Sequence, residues 1–263
     1  MKSIAWVLGV VIVGFAAFFM LNNYIYSQKQ HRQIAPMQNT ETNTITVIPI
    51  AHASLALRWG KIVVYADPTG NKDAYAKVGT PDIILITHDH PDHLGTSTLT
   101  ELVGANTKLI VTQSVAEVLP ETLKPNIIVL KNGDETNQAG LSIKAIPAYN
   151  LREEDAHRHP QGKGNGYVLQ GGGKRVYIAG DTEDIPEMRA LQNIDIAFVP
   201  MNPPYTMTVE KAADAVLAFK PKQVYPYHYR TPTGLSDIAR FKQLVNSGDQ
   251  SIEVILANWY PEQ

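Results

Sequence analysis

Cysteine is absent from all 263 residues, so disulfides, thiolate metal ligands and a cysteine nucleophile are excluded, and nothing marks the redox compartment. Any metal must sit on His, Asp or Glu. Excess charge of either sign is also missing. Against 23 Lys and Arg stand 25 Asp and Glu, a formal net charge of -2, and no basic block of five residues occurs. A broad nucleic-acid or anionic-lipid surface would need such a block, so no nucleic-acid partner is expected and small-molecule chemistry is the default class. The sequence has no G-x-S-x-G motif, which removes the serine nucleophile elbow, and no repeat of fixed period. What is present, 44% hydrophobic and 18% charged residues, suits one or at most two globular domains with a full core.

Long apolar runs are confined to one place. Residues 4–21, "IAWVLGVVIVGFAAFFML", carry no charge and are about long enough to cross a bilayer core as a helix. A cleaved secretory signal is the alternative, but signal cores are usually about 7–15 residues and end in an A-x-A-like site. The following "NNYIYSQKQHRQ" has no such site, and Tyr24 and Tyr26 suit a membrane interface. Residues 1–26 therefore read as a membrane anchor in preference to a signal sequence. Lys2 on one side nearly balances Lys29 and Arg32 on the other. The short head leaves little to translocate, which favours an extracytoplasmic domain; a secreted or periplasmic protein is the alternative after cleavage. Residues 27–43 are polar and without periodicity, a linker, and the folded domain spans 44–263.

Within that domain the pattern predicts strands at 44–50, 55–59, 61–67, 82–87, 108–112, 126–130, 141–148, 166–170, 175–180, 196–200, 223–227 and 251–256. Helices are interleaved. "VEKAADAVLAF" puts Val209, Ala212, Ala213, Val216 and Leu217 on one stripe, and "SDIARFKQLV" does the same with Ile238, Phe241, Leu244 and Val245. Weaker helices are expected at 96–104 and 114–119, each with a Ser or Thr suited to cap its start. Two blocks of strands, each followed by covering helices, predict an α/β protein whose sheets pack face to face with helices outside.

The chemistry is concentrated in "ILITHDHPDHLG". Three histidines and two aspartates fall within residues 88–93, directly behind an all-apolar strand, where α/β folds place functional loops. His88 and His90, two apart, project to the same side of an extended chain. Pro91 stiffens the turn, and Asp92 and His93 then point towards a second position. Neutral imidazoles and carboxylates suit zinc, with manganese or iron possible where carboxylates take part.

The run His88, His90, Asp92 and His93 is an H-x-H-x-D-H motif and resembles the signature of the metallo-β-lactamase-fold hydrolases, over essentially the whole of 44–260. The resemblance implies an α/β four-layer αββα sandwich. It also implies three downstream ligands: an aspartate after a strand, Asp181 in "VYIAGDT"; a late histidine at a strand end, His228 in "YPYHYR"; and a middle histidine, either His157 or His159. "HPQGKGNG" resembles the branch containing L-ascorbate-6-phosphate lactonase and N-acyl-phosphatidylethanolamine phospholipase D, which favours His159. The implied allocation puts His88, His90 and His159 on one divalent ion, Asp92, His93 and His228 on another, and Asp181 between them. A hydroxide bridging the two ions would be the nucleophile, with Asp92 and His93 as catalytic candidates. Asp67 in "YADP" resembles a structural carboxylate that braces the histidine loop.

The substrate class implied by this branch is a phosphodiester or a lactone or ester, and the anchor makes a lipid-derived molecule attractive. Arg230, Asn150 and Tyr205 are candidate substrate contacts. His52 in "AHASLAL" is either near the site or a hydrogen-bonded core histidine. A non-catalytic metal-binding or sensor module at the membrane is the alternative from another class. A nuclease or β-lactamase fits less well, since neither a basic groove nor an antibiotic-binding segment is visible.

Overall fold

The computed structural model describes residues 44–260. The expected anchor and linker lie outside the described residues, and among the described residues no helix is long and apolar enough to cross a membrane. Six strands form the first sheet: β1 (Ile45–Ala51), β2 (Ser54–Trp59), β3 (Ile62–Ala66), β4 (Ile83–Leu85), β5 (Lys108–Val111) and β6 (Ile127–Val129), in that spatial order. The first three pair antiparallel and the rest parallel. The second sheet begins with β7 (Glu135–Gln138), β8 (Leu141–Ala148), β9 (Gly164–Gly171), β10 (Lys174–Ile178), β11 (Ile196–Pro200) and β12 (Gln223–Tyr227). A small hairpin of β13 (Arg230–Thr231) and β14 (Gly234–Leu235) follows, and β15 (Glu253–Val254) closes the second sheet beside β12.

Alternation along the strands assembles the layers. In the first sheet Leu55, Leu57, Val64, Ile83, Leu85 and Ile110 join one core with the second sheet. Their neighbours Ala56, Tyr65, Ile84 and Leu109 face a separate core under α1 (Thr96–Leu102) and α2 (Gln113–Val118). This is the period of two expected of a pleated strand buried on both faces. Helix α3 (Pro186–Arg189) follows β10, and α4 (Val209–Phe219) and α5 (Ile238–Gly248) cover the outer face of the second sheet through Val209, Ala212, Val216, Phe241 and Val245. The result is helices, sheet, sheet, helices.

Each of the twelve expected strand segments contains a strand. Strands β7, β13 and β14 were not expected: "ETNQ" is polar and the other two are two residues each, so neither carries an apolar signal. Of the two weaker helices only the second carries a Ser or Thr cap. Helix α1 starts after Gly95 with no side-chain cap, because a Cβ there would lie 2.8 Å from Pro68 O. Helix α2 is capped by Thr112, whose hydroxyl accepts from Val115 N–H.

Candidate metal centre

The strands deliver the site to one edge of the sandwich. β4 leads into Thr87 and His88, β10 into Asp181, β12 into His228, and the β8–β9 loop supplies His159. After β4 the chain makes a single helical turn, with His93 N–H and Leu94 N–H both donating to His90 O. That turn brings His93 back beneath His88, 4.1 Å between ring centroids. Gly180, at φ 66°, lets the chain swing into Asp181 where a Cβ would meet Asn165 O and Thr87 Cβ at 3.0 Å. Asp67 and His228 also adopt positive φ, 44° and 47°. Strain of this kind concentrates at functional sites, where surrounding bonds hold it in place.

Outward-facing bonds set the tautomers. Asp67, fully buried, accepts from Thr87 N–H at 2.8 Å, from Thr87 Oγ1–H at 2.7 Å and from His93 Nδ1–H at 2.7 Å. Because the Thr87 hydroxyl gives its hydrogen to Asp67, its oxygen accepts from His88 Nδ1–H at 3.0 Å. His159 Nδ1–H meets Asn150 Oδ1 at 3.2 Å, and the Asn150 amide is oriented by donating to Asp155 O and Tyr205 O. Three rings thus carry their hydrogen on Nδ1 and turn the Nε2 lone pair inwards, as metal-binding histidines do.

Inside, three of the ligand atoms lack hydrogen-bond partners. His88 Nε2, His159 Nε2 and Asp181 Oδ1 are buried and unpaired. His88, His90 and His159 form one group of atoms within 4.8 Å of one another; His88, His93 and Asp181 form a second, and His52, Asp92 and His228 a third. Asp181 stands in the middle. Its Oδ1 is 3.3 Å from both His93 Nε2 and His228 Nε2, and its Oδ2 is 3.4 Å from His159 Nε2. His93 Nε2 and His228 Nε2 face each other at 3.2 Å.

The electrostatics favour a cation here. Burial pushes His88 well below its ordinary value, and the neighbouring rings add to that. Burial alone would also lower His93, but Asp181 and Asp67 carry it well above its ordinary value, so that without a metal its Nε2 lone pair takes up a proton, a positive charge in the place a metal would fill. Asp181 is held well below the carboxylate range by His228 and His93 although burial opposes this. Inward lone pairs, two acidic groups and unpaired buried atoms fit divalent ions on His and Asp.

The structure brings His88, His90, Asp92, His93, His159, Asp181 and His228 together. His159, rather than His157, stands with His88 and His90, while His157 is exposed on the rim. His93 Nε2 stands 3.2 Å from His228 Nε2 and 3.8 Å from Asp92 Oδ2, as the expected allocation has it, and it also groups with His88 and Asp181; His52 joins Asp92 and His228. His93 is fully buried with Nδ1 on Asp67 and Nε2 among the other ligand atoms, so it cannot touch a substrate. Asp92, half-exposed, can. An open cavity of about 490 Å³ lies above, walled by His52, Asp92, Arg158, Asn202, Tyr205 and Arg230, among others. Asn150, expected at this wall, is buried behind His159 with its amide committed, and it orients that ring instead. Thr87, Asn202 and Arg158 were not anticipated. Asn202 donates to His228 Nε2 at 3.3 Å, and its place just past an apolar strand was the available signal.

A family model described as "Beta-lactamase superfamily domain" matches residues 59–229. The chain belongs to that superfamily. Within it, UPF0173 metal-dependent hydrolases of Pyrococcus abyssi and Thermococcus onnurineus are 33% and 34% identical over 218 residues, covering 79% of this chain and 94% of each relative. A crystal structure from Parabacteroides distasonis superposes with a TM-score of 0.71 at 39% identity, over 81% of this chain and 92% of that one. Igni18, a metallo hydrolase from Ignicoccus hospitalis, shares the fold at 23% identity and a TM-score of 0.67. This member of the superfamily thus combines the family's fold with a cluster of His and Asp side chains at the floor of a cavity.

Proposed function

We propose that the protein is a two-metal hydrolase acting on a phosphodiester, lactone or ester that carries an anionic group. The observation that supports this reading best is the set of seven inward-facing ligands, His88, His90, His159, Asp92, His93, His228 and Asp181, at the floor of an open cavity. Zinc suits this donor set, with manganese or iron as alternatives. These seven residues would hold two divalent ions, which when bound would lower the pKa of a water towards neutrality and act as Lewis acids on the substrate. The residues do the remainder: Asp181 separates the two groups of histidines, Asp67 and Asn150 hold ring orientation, and Asp92 reaches the cavity, where it can take a proton. A purely structural ion needs about four ligands and a closed site, so the open cavity disfavours a non-catalytic sensor module.

Arginines at the wall support the anionic substrate. Arg230 lies over the Tyr260 ring at 4.5 Å and has no carboxylate partner among the described residues. Arg158 lies over Tyr205 at 5.1 Å with its Nε on Asp155. A guanidinium on an aromatic face keeps in-plane N–H groups for a carboxylate or phosphate. The likeness of the histidine-proline segment to the lactonase and phospholipase D branch supports the same substrate class. The apolar run at 4–21 supports tethering to a membrane with the domain outside the cytoplasm, within reach of a lipid-derived substrate.

Elemental analysis of the purified protein should find two divalent ions per chain. His88→Ala should abolish hydrolysis across a panel of phosphodiesters, lactones and esters; undiminished turnover would refute the reading. Carbonate extraction of membranes should leave the full chain in the pellet, and its release would remove the anchor.

A further inference from the structure

His52 enters the centre from an unexpected direction. It occupies the turn between β1 and β2 with a φ of 54°, a left-handed conformation costly for a histidine. Its backbone is tied on both sides, the N–H donating to Trp259 O at 3.2 Å and the carbonyl accepting from His228 N–H at 3.3 Å. The ring packs edge-on against His228, 4.1 Å between centroids. Both ring nitrogens are engaged, Nδ1 with Tyr260 OH at 2.9 Å and Nε2 with Asp92 Oδ2 at 3.1 Å.

The hydrogens in this chain run one way. A carboxylate offers only acceptor oxygens, so at 3.1 Å from His52 Nε2 the Asp92 Oδ2 accepts. His52 therefore carries its hydrogen on Nε2; placing it on Nδ1 alone would set a nitrogen lone pair against a carboxylate oxygen. Nδ1 is then the acceptor, and Tyr260 O–H donates to it. Burial pushes the Tyr260 phenol up, which keeps that hydrogen on oxygen. The phenol oxygen in turn accepts Arg230 N–H at 3.1 Å.

We propose that His52 is a positioning residue and not a metal ligand: backed by Tyr260, it holds the Asp92 carboxylate in the orientation that serves the second ion. This rests on the two-metal reading above. Proximity alone would make His52 a ligand, since its nitrogen lies within 4.8 Å of the Asp92 and His228 ligand atoms. The hydrogen on Nε2 removes the lone pair a ligand needs, and Nδ1 is turned away to Tyr260. His52 thus differs from His88, His93 and His159, whose Nδ1 hydrogens face outwards and whose Nε2 lone pairs face in.

The test loads the full-length protein and its His52→Ala, His52→Gln, Tyr260→Phe and His228→Ala variants with zinc, then follows metal content by elemental analysis against a graded chelator, with circular dichroism as the folding control. Wild type should retain two ions; a single ion would end the two-metal reading and, with it, the role of His52. His52→Ala should still bind two ions at saturating zinc but release one at a chelator concentration roughly 10–100-fold lower, the usual cost of losing an outer partner of a ligand. His52→Gln, whose amide can still donate to Asp92, should recover most of that retention, and Tyr260→Phe should fall between. His228→Ala should lose one ion outright. Two results overturn the proposal with the two-metal reading intact: His52→Ala retaining zinc like wild type, or both His52 variants losing an ion as completely as His228→Ala. Should His52→Ala fail to fold, His52→Gln and Tyr260→Phe decide the question by the same comparison.

Discussion

Asp67→Asn exchanges one oxygen for an NH2 group and leaves the shape unchanged, yet it should disarm the metal centre. If the new Oδ1 keeps the bond from Thr87 N–H, the amide nitrogen replaces the Asp67 Oδ2 that lies 2.7 Å from both His93 Nδ1 and Thr87 Oγ1. A donor there requires an acceptor at His93 Nδ1, which moves that ring's hydrogen to Nε2 and points it into the cluster. Thr87 Oγ1 likewise becomes an acceptor, and its freed hydrogen turns to His88 Nδ1, 3.0 Å away, flipping the second ring. Every buried polar atom can still be satisfied, so stability without metal should fall by no more than about 1–3 kcal/mol. Zinc affinity should fall at least about 100-fold, since ligand lone pairs are replaced by N–H groups. At excess zinc that removes about 2.7 kcal/mol of metal-linked stabilisation, or roughly 5–10 °C in Tm for a domain of this size. Thermal unfolding with and without zinc reads both quantities. Asp67→Ala is the contrast: it strands Thr87 N–H and His93 Nδ1–H in a buried site, costing about 2–6 kcal/mol before metal is considered. An Asn variant with wild-type zinc stabilisation would refute the tautomer argument.

Asn150→Ala should weaken retention of one ion by roughly tenfold or more, because His159 loses the acceptor that fixes its ring; a chelator titration indistinguishable from wild type would contradict this. Arg230→Gln should raise KM for anionic substrates about tenfold while leaving kcat within about twofold, and should spare neutral esters; equal effects on both classes would argue against an anion contact. Asp195 bears on stability. Burial pushes its carboxyl up, but Lys222, the Arg175 N–H and Lys174 bring it below the ordinary carboxylate value. A lowered folded value means its contribution is present above about pH 4, the unfolded value, and is lost as pH falls through the lower folded value. Asp195→Asn should therefore cost no more than about 1 kcal/mol at pH 7, since the lysines are largely exposed, and the difference from wild type should vanish in acid. A gap that widens in acid would refute the assignment.

The helices α4 and α5 and the all-apolar strands were readable from the chain because each buries residues at its own period, a property of local sequence. The polar β7 was not, since an edge strand is defined by its neighbour and not by its side chains. Asn150 shows the same limit. Its sequence neighbourhood suggests a cavity wall, but its amide is spent on Asp155 O and Tyr205 O, and those partners are known only once the loops pack.

For the site itself, the sequence by itself determined the ligand types, their position behind buried strands, and the H-x-H-x-D-H spacing that puts four of them on one loop. The resemblance already implied His159 and the place of Asp181 between the groups; committing each ring to a tautomer and turning Asn150 behind His159 were decided by tertiary structure. These depend on which oxygens stand behind each imidazole, and those oxygens come from Asp67, Thr87, Asn150 and Tyr260, scattered across the chain. A hydrogen's place on a ring is set by its partner, and only the fold assigns partners.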